Sequence, residues 1–244
     1  MINIFSKKKI LYFYKIKFYD WSFNKIINKI NAGGYLVAPA ASALVEIEKN
    51  KIYYESLKKS TCAIYDSGFF CILLRLFGIY SPKKLSGYLF LKNFLNYKKS
   101  KKKKILLINS SDYQGEENKI LFYKKGFKEI LLYTAPIYKS IHVKDQIVMN
   151  LINKYRPKYI LISIGGLKQE PLAFYITKNI KIKCTILCLG GAIDFITGLQ
   201  APINIFVDKI YLGWLFRIIY NPKVFFIRVL KSLYLFKYFW RKNY

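Results

Sequence analysis

Carboxylates are scarce in this chain: 13 acidic residues stand against 42 lysines and arginines. Their placement is therefore informative. Three of them, Asp66, Glu170 and Asp194, sit in turn-like settings just after predicted strands. A carboxylate held in such a place can act as a general base on a hydroxyl group. Helix N-caps and first turns also favour acids, so any one of the three has a purely structural explanation. Three at the same edge of one sheet are harder to dismiss. The loop Gly165-Gly166-Leu167-Lys168-Gln169-Glu170 offers backbone N–H groups, a cation and an amide immediately before a predicted helix. That combination suits a phosphate or a sugar hydroxyl. It is not the nucleotide loop that requires Gly-Lys-Ser/Thr.

Metal and thiol chemistry are poorly supplied. His142 is the single histidine, so a His-rich metal site is not available, and neither a metal nor a cofactor is expected. Cys62, Cys71, Cys184 and Cys188 form no Cys-x-x-Cys pair. Cys184 and Cys188 lie four residues apart on one predicted strand, about 13 Å at ~3.3 Å per residue, too far for a disulfide. The four read as reduced core thiols of a cytoplasmic protein.

The elements that must position these residues follow an α/β rhythm, with short apolar runs alternating with amphipathic stretches. Strands are predicted at Tyr35–Ala38, Thr61–Tyr65, Ile105–Ile108, Glu129–Tyr133, Tyr159–Ile164 and Ile182–Leu189. Helices are predicted at Ser42–Lys58, after the turn Asp66-Ser67-Gly68 to Leu76, from the polar turn Asn109–Gly115 to near Gly126, at Val143–Lys154, and from near Pro171. Strands recur roughly every 25–30 residues between positions 105 and 185, the spacing of βαβ units. The expected fold is a Rossmann-like, mostly parallel sheet flanked by helices, with ligands at the carboxyl ends of its strands.

From Ala201 the character changes. The remaining residues hold Arg217, Arg228 and Arg241 and two of the three tryptophans, Trp214 and Trp240, with no obvious strand. The expected organisation is an α/β domain over residues 1–202 and a C-terminal helical appendage over 203–244. Aromatic and basic residues interleave in that appendage at near-helical intervals. This pattern suits a helix lying in the headgroup region of an anionic membrane, and also an amphipathic helix packed on the domain.

Composition bounds the partners. The 244 residues are 53% hydrophobic, enough to fill a core, and carry a formal charge of +29. Such an excess implies an anionic partner: nucleic acid, anionic lipid or phosphorylated substrate. An AT-rich coding bias accounts for part of the lysine content, but it supplies Asp and Glu codons too and leaves their scarcity unexplained. The segment Met1–Phe18 lacks the apolar core and cleavage site of a signal peptide. No stretch approaches ~18 uninterrupted apolar residues. The chain is expected to be soluble or to lie on a membrane surface.

Four segments carry a family resemblance. Ile164-Gly165-Gly166-Leu167-Lys168-Gln169-Glu170 resembles the Gly-x-Pro-Lys-Gln-Glu motif of the WecG/TagA/CpsF glycosyltransferases. Gly190-Gly191-Ala192-Ile193-Asp194-Phe195-Ile196-Thr197-Gly198 is similar to their Gly-rich Asp-Phe-x-x-Gly segment. Gln200-Ala201-Pro202 stands where that family usually has Arg-Ala-Pro. Leu212-Gly213-Trp214-Leu215-Phe216-Arg217 and Asn221-Pro222 resemble its Leu-Glu-Trp-x-x-Arg and Glu-Pro pattern. More loosely, Tyr65-Asp66 with Arg75-Leu76-Phe77-Gly78 is similar to its Asp-Gly…Arg-Leu-Leu-Gly stretch, and Tyr133–Tyr138 to its Pro-Pro-Phe turn. The resemblance runs from about Leu36 to Arg228. Departures fall at Ala38 and Ala40, where the family commonly has Thr and Asn, at Asn109-Ser110-Ser111 in place of a Gly pair, at Leu167 and at Gln200.

The resemblance implies an inverting, metal-independent transfer of an N-acetylmannosamine-like unit from a UDP-sugar to a polyprenyl-diphosphate-linked sugar, for bacterial surface polysaccharide. Asp66 matches the family's proposed base. Lys168, Gln169, Glu170, Gly191 and Asp194 are expected on the donor side, with Arg75, Arg217 and Arg228 facing phosphates, where arginine's planar fork makes paired bonds. The expected location is cytoplasmic, on the inner face of the membrane, and a homo-oligomer is compatible with it. Two other classes compete: a catalytically degenerate membrane-surface subunit, favoured by Ala38 and Ala40, and a basic nucleic-acid-binding protein. Against the latter, the charge is spread along the chain and no helix-turn-helix, RRM or zinc pattern occurs, so no nucleic acid partner is expected.

Overall fold

A computed structural model describes residues 2–5, 9–200, 211, 218–219 and 222–240. Its centre is a nine-stranded sheet with the order β1-β2-β3-β5-β4-β9-β8-β6-β7. The strands are β1 (Ile2–Phe5), β2 (Ile10–Phe13), β3 (Ile16–Tyr19), β4 (Gly34–Val37), β5 (Cys62–Ala63), β6 (Ile105–Asn109), β7 (Ile130–Thr134), β8 (Tyr159–Ile162) and β9 (Thr185–Cys188). All pairings from β3 to β7 are parallel. The fold is thus the expected Rossmann-like α/β one.

The first three strands form an antiparallel meander that the sequence did not announce. Tyr14 and Lys15 close its second hairpin with φ of 49° and 64°. Two consecutive positive φ values define the type I′ turn, whose usual marker is Asn-Gly. Tyr-Lys carries no such marker, and the lysines nearby obscured the alternation of buried Leu11, Phe13, Ile16 and Phe18.

The parallel strands are buried on both faces, and successive residues go to opposite sides. On one side Tyr35, Val37, Ile108, Ile162 and Cys188 pack with helices α3 (Lys51–Lys58), α4 (Gly68–Leu76), α7 (Gln146–Tyr155) and α8 (Gln169–Asn179). On the other, Leu36, Leu107, Leu161 and Leu187 pack with α1 (Phe23–Ile30), α5 (Gly87–Asn96) and α6 (Asp112–Lys124). The chain leaves β6 toward α6 on the second face and leaves its neighbour β8 toward α8 on the first. The two loops diverge, which opens a crevice at the carboxyl ends of the strands.

The helix expected over Ser42–Lys58 is in fact broken into α2 (Ala41–Leu44), a 3₁₀ turn at Val45–Ile47, and α3. Asn50 is the cause, because its side chain accepts from Tyr53 N at 3.1 Å and caps α3 anew. The four cysteines are buried and unpaired.

Toward the C-terminus the described residues form, after the short α9 (Asp194–Thr197), the helices α10 (Pro222–Leu233) and α11 (Leu235–Trp240). They are not free-standing. Leu235, Tyr238 and Phe239 are part of the main core, the Phe239 ring stacks on Phe77 at 5.2 Å, and Tyr238 Oη donates to Val45 O at 2.9 Å. Lys231 pairs with Glu46 at 2.9 Å. Their other side leaves Phe226, Ile227, Leu230, Tyr234 and Trp240 exposed. The expected domain boundary at 202/203, and with it Trp214, Arg217 and Arg241, lies outside the described residues. Among the described residues no helix is long and apolar enough to cross a membrane.

Candidate active site

A cleft of about 460 Å³ opens where the β4, β5, β6, β8 and β9 loops meet, and α10 leans over it. Its volume lies in the range of sites for small organic ligands. Asp66, Gln169, Glu170, Gly191, Asp194 and Arg228 all line it, drawn from five separate elements. Thus the two Gly-rich loops, which follow the adjacent strands β8 and β9, border one cleft.

Asp66 follows β5, where the chain turns toward α4 with Ser67 as its N-cap. Its Oδ1 accepts from Gly87 N, the first residue of α5, at 2.8 Å. A helix N-terminus offers unpaired N–H groups and positive potential, so α5 fixes the orientation of this carboxylate at the cleft wall. Gly68, two residues on, has to be glycine: a Cβ there would lie 2.1 Å from the carbonyl oxygen of Tyr211.

The β8–α8 loop is closed by its own side chains. Glu170 Oε2 accepts from Leu167 N at 2.9 Å, and Oε1 accepts from Gln169 Nε2 at 3.1 Å. Gln169 Oε1 in turn accepts from Gly190 N at 2.8 Å and so ties this loop to the one after β9. Leu167 takes a φ of 69°, a left-handed conformation closed to proline. The loop therefore differs from the Pro-containing motif it resembles. Glu170 is only 1% exposed. Burial pushes its carboxyl up to about 7, against the opposing pull of hydrogen bonds from Gln169 and the backbone N–H groups of Glu170 and Leu167.

Asp194 begins α9 and is also buried, which raises its pKa, while hydrogen bonds from Gln114 and Gln200 pull the other way. Gln114 Nε2 donates to Oδ1 at 2.7 Å and Gln200 Nε2 to Oδ2 at 3.2 Å. Arg228 reaches the cleft from α10, its guanidinium 5.3 Å from the Phe225 ring centroid.

Two expected contributors point elsewhere. Arg75 donates to Tyr211 Oη at 2.7 Å and lies 4.3 Å from that ring's centroid, so its planar cation is spent on tyrosine and not on the cleft. Tyr211 Oη donates onward to Pro82 O at 2.8 Å. The Lys168 ammonium donates to Lys139 O at 3.3 Å, on the β7–α7 loop. Arg217 lies outside the described residues. Conversely, Gln114 lines the cleft although nothing in the sequence singled it out, and Ser110, noted only within the departure from the family's Gly pair, lines it as well. The available signal was their place in the polar turn directly after β6.

A cleft at the switch point of a Rossmann-like sheet, walled by three carboxylates and overhung by an arginine, belongs to an α/β protein that binds a polar ligand. The model of the Glycosyl transferase WecG/TagA/CpsF family matches residues 11–243, nearly the whole chain, and the protein belongs to that family. It is accordingly a glycosyltransferase of cell-surface polysaccharide synthesis, and its family implies a nucleotide-sugar donor and a lipid-linked acceptor. No curated protein matches the chain.

Proposed function

We propose that the enzyme transfers an N-acetylmannosamine-like sugar from UDP to a polyprenyl-diphosphate-linked sugar, with inversion and without a metal ion. The observation that supports this reading is the meeting of Asp66, Glu170, Asp194 and Arg228 on a single cleft. Asp66 takes the proton of the acceptor hydroxyl as that oxygen bonds to the anomeric carbon. The bond from the anomeric carbon to the β-phosphate oxygen breaks on the opposite face, and UDP leaves with the electron pair. Arg228 meets the charge that develops on the diphosphate. Gln169 and Gly191 shape the donor side, and Asp194 accepts hydrogen bonds from it. Lys168 and Arg75 act from outside the cleft, the first by holding the β8–α8 loop to Lys139, the second by holding Tyr211.

Location follows the acceptor's chemistry. A lipid-linked sugar is presented only at a membrane surface, and the exposed apolar side of α10 and α11 is accompanied by the exposed lysines Lys223 and Lys237. That combination suits attachment to the inner, anionic face of the cell membrane. The test is transfer of labelled sugar from UDP-N-acetylmannosamine to a short-chain polyprenyl-diphosphate sugar in a chelator, with the product anomer read by NMR. Absence of transfer together with intact UDP binding favours the degenerate-subunit reading. A metal requirement or a retained anomer overturns the mechanism.

A further inference from the structure

The carboxylate of Asp194 is gripped by two primary amides that come from different parts of the chain. Gln114, on α6, donates its Nε2 to Oδ1 at 2.7 Å. Its Oε1 accepts from both Ser110 N, at 2.8 Å, and Ser110 Oγ, at 2.9 Å. A backbone N–H can only donate, so the atom facing Ser110 is the amide oxygen and the NH₂ group must face Asp194. The amide has one way to sit. Gln200 donates to the second oxygen, Oδ2, at 3.2 Å. Gly191 leaves the room for that contact, since a Cβ there would lie 2.9 Å from Gln200 Nε2 and 3.2 Å from Asp194 Oδ2.

The support extends below Gln114. Ser111 caps α6 by accepting from Gln114 N at 3.2 Å. One turn on, Asn118 Nδ2 donates to Asn109 Oδ1 at 2.8 Å, and Asn109 Nδ2 donates to Leu107 O at 3.1 Å. This buried polar ladder holds the first turns of α6 to β6, and Gln114 is its uppermost rung, 6% exposed, at the cleft.

We propose that Gln114 is a positioning residue that, with Gln200, holds the Asp194 carboxylate with both oxygens as acceptors, so that the donor group meeting Asp194 must be a hydrogen-bond donor. A fixed carboxylate of this kind accepts from hydroxyls or an N–H and rejects a carbonyl or phosphate oxygen. The proposal rests on the reading of this cleft as a nucleotide-sugar site. Its chemistry predicts discrimination between a ligand that donates at this point and an analogue whose donor is methylated or replaced.

Two variants of the full-length protein test it. Gln114→Leu keeps the volume and removes the donor; its crystal structure is expected to have the Asp194 carboxylate turned from its present position. An Asp194 that stays in place overturns the inference, whether or not the cleft binds nucleotide. Gln114→Glu keeps the shape, accepts from Ser110 as before, and donates to Asp194 only while protonated. UDP affinity by calorimetry should therefore match the unaltered protein near pH 5.5 and fall at least about tenfold below it by pH 8, the scale of one lost hydrogen bond to a charged group. Asp66, Glu170, Arg228 and Lys231 also face the cleft and are common to both proteins; Asp194 shares a proton with the introduced carboxyl, so the ratio reports the titration of that pair. Parallel affinity profiles overturn the inference, as does a Gln114→Leu protein with a lowered Tm and unchanged UDP affinity. If the unaltered protein fails to bind UDP while Asp194 still turns in Gln114→Leu, the nucleotide reading falls and the positioning role stands.

Discussion

Glu170 makes the stability of this enzyme depend on pH in a direction opposite to most acids. Its carboxyl sits at about 7 in the folded protein, against an ordinary 4.5, because burial disfavours the charged form. A raised pKa means that between these values the folded state binds more protons than the unfolded one. Stability from this group is then complete below pH 4.5 and is lost as the pH rises through 7. One pKa unit corresponds to ~1.36 kcal/mol, so the full loss is about 3 kcal/mol. Glu170→Gln removes the titration and keeps the size. It also carries a constant penalty of ~1–3 kcal/mol. With its oxygen toward Leu167 N, its NH₂ faces that of Gln169, whose own oxygen is committed to Gly190 N. Urea unfolding of both proteins at half-unit steps from pH 5 to 8 isolates the effect, because every other group cancels in the difference. The variant should be the less stable at pH 5 and gain about 2.5 kcal/mol relative to the unaltered protein by pH 8, since part of the full loss has already occurred at pH 5. Parallel stability curves would mean that Glu170 is ionised throughout and refute the argument from burial.

Other outcomes follow from the same geometry. Asp66→Asn preserves the shape and the bond from Gly87 N but cannot take a proton; kcat for transfer should fall roughly 10²–10⁴-fold with UDP affinity by calorimetry nearly unchanged, and a near-normal kcat removes Asp66 from the base role. Gly68→Ala forces a Cβ against the Tyr211 carbonyl and should cost ~1–3 kcal/mol of stability as overpacking does; a Tm equal to that of the unaltered protein would place Tyr211 elsewhere. Replacing Phe226, Ile227 and Leu230, all exposed on α10, with serine should leave the circular dichroism spectrum intact. It should also weaken sedimentation with anionic vesicles ~10²-fold, from about 1 kcal/mol lost per half-buried apolar side chain. Full vesicle binding by that variant would move the anchor to another surface.

The α/β class was legible because it is written locally. Apolar runs such as Ile105–Ile108 and Tyr159–Ile164 need both faces covered, and their spacing leaves room for one helix between strands. Asp66, Glu170 and Asp194 stood out for a similarly local reason, as rare acids placed just after strands. What the sequence could not reveal depends on partners distant along the chain. The N-terminal meander turns on Tyr14-Lys15, whose positive φ values no local composition demands. Arg75 carries the charge for phosphate binding, and only its proximity to Tyr211, 136 residues on, commits it elsewhere. Gln114 looked like any polar helix residue until the strand order set β6 beside β8 and, beyond β8, β9, and brought Asp194 within 2.7 Å of its amide. The C-terminal pattern of aromatics and cations fitted both a membrane helix and a packed helix. Packing divided it, with Leu235, Tyr238 and Phe239 in the core and Phe226, Ile227 and Trp240 in the open. Residue type sets what chemistry a side chain is capable of, whereas hydrogen bonds and desolvation between remote segments decide whether that chemistry is free for a ligand or already used by the fold.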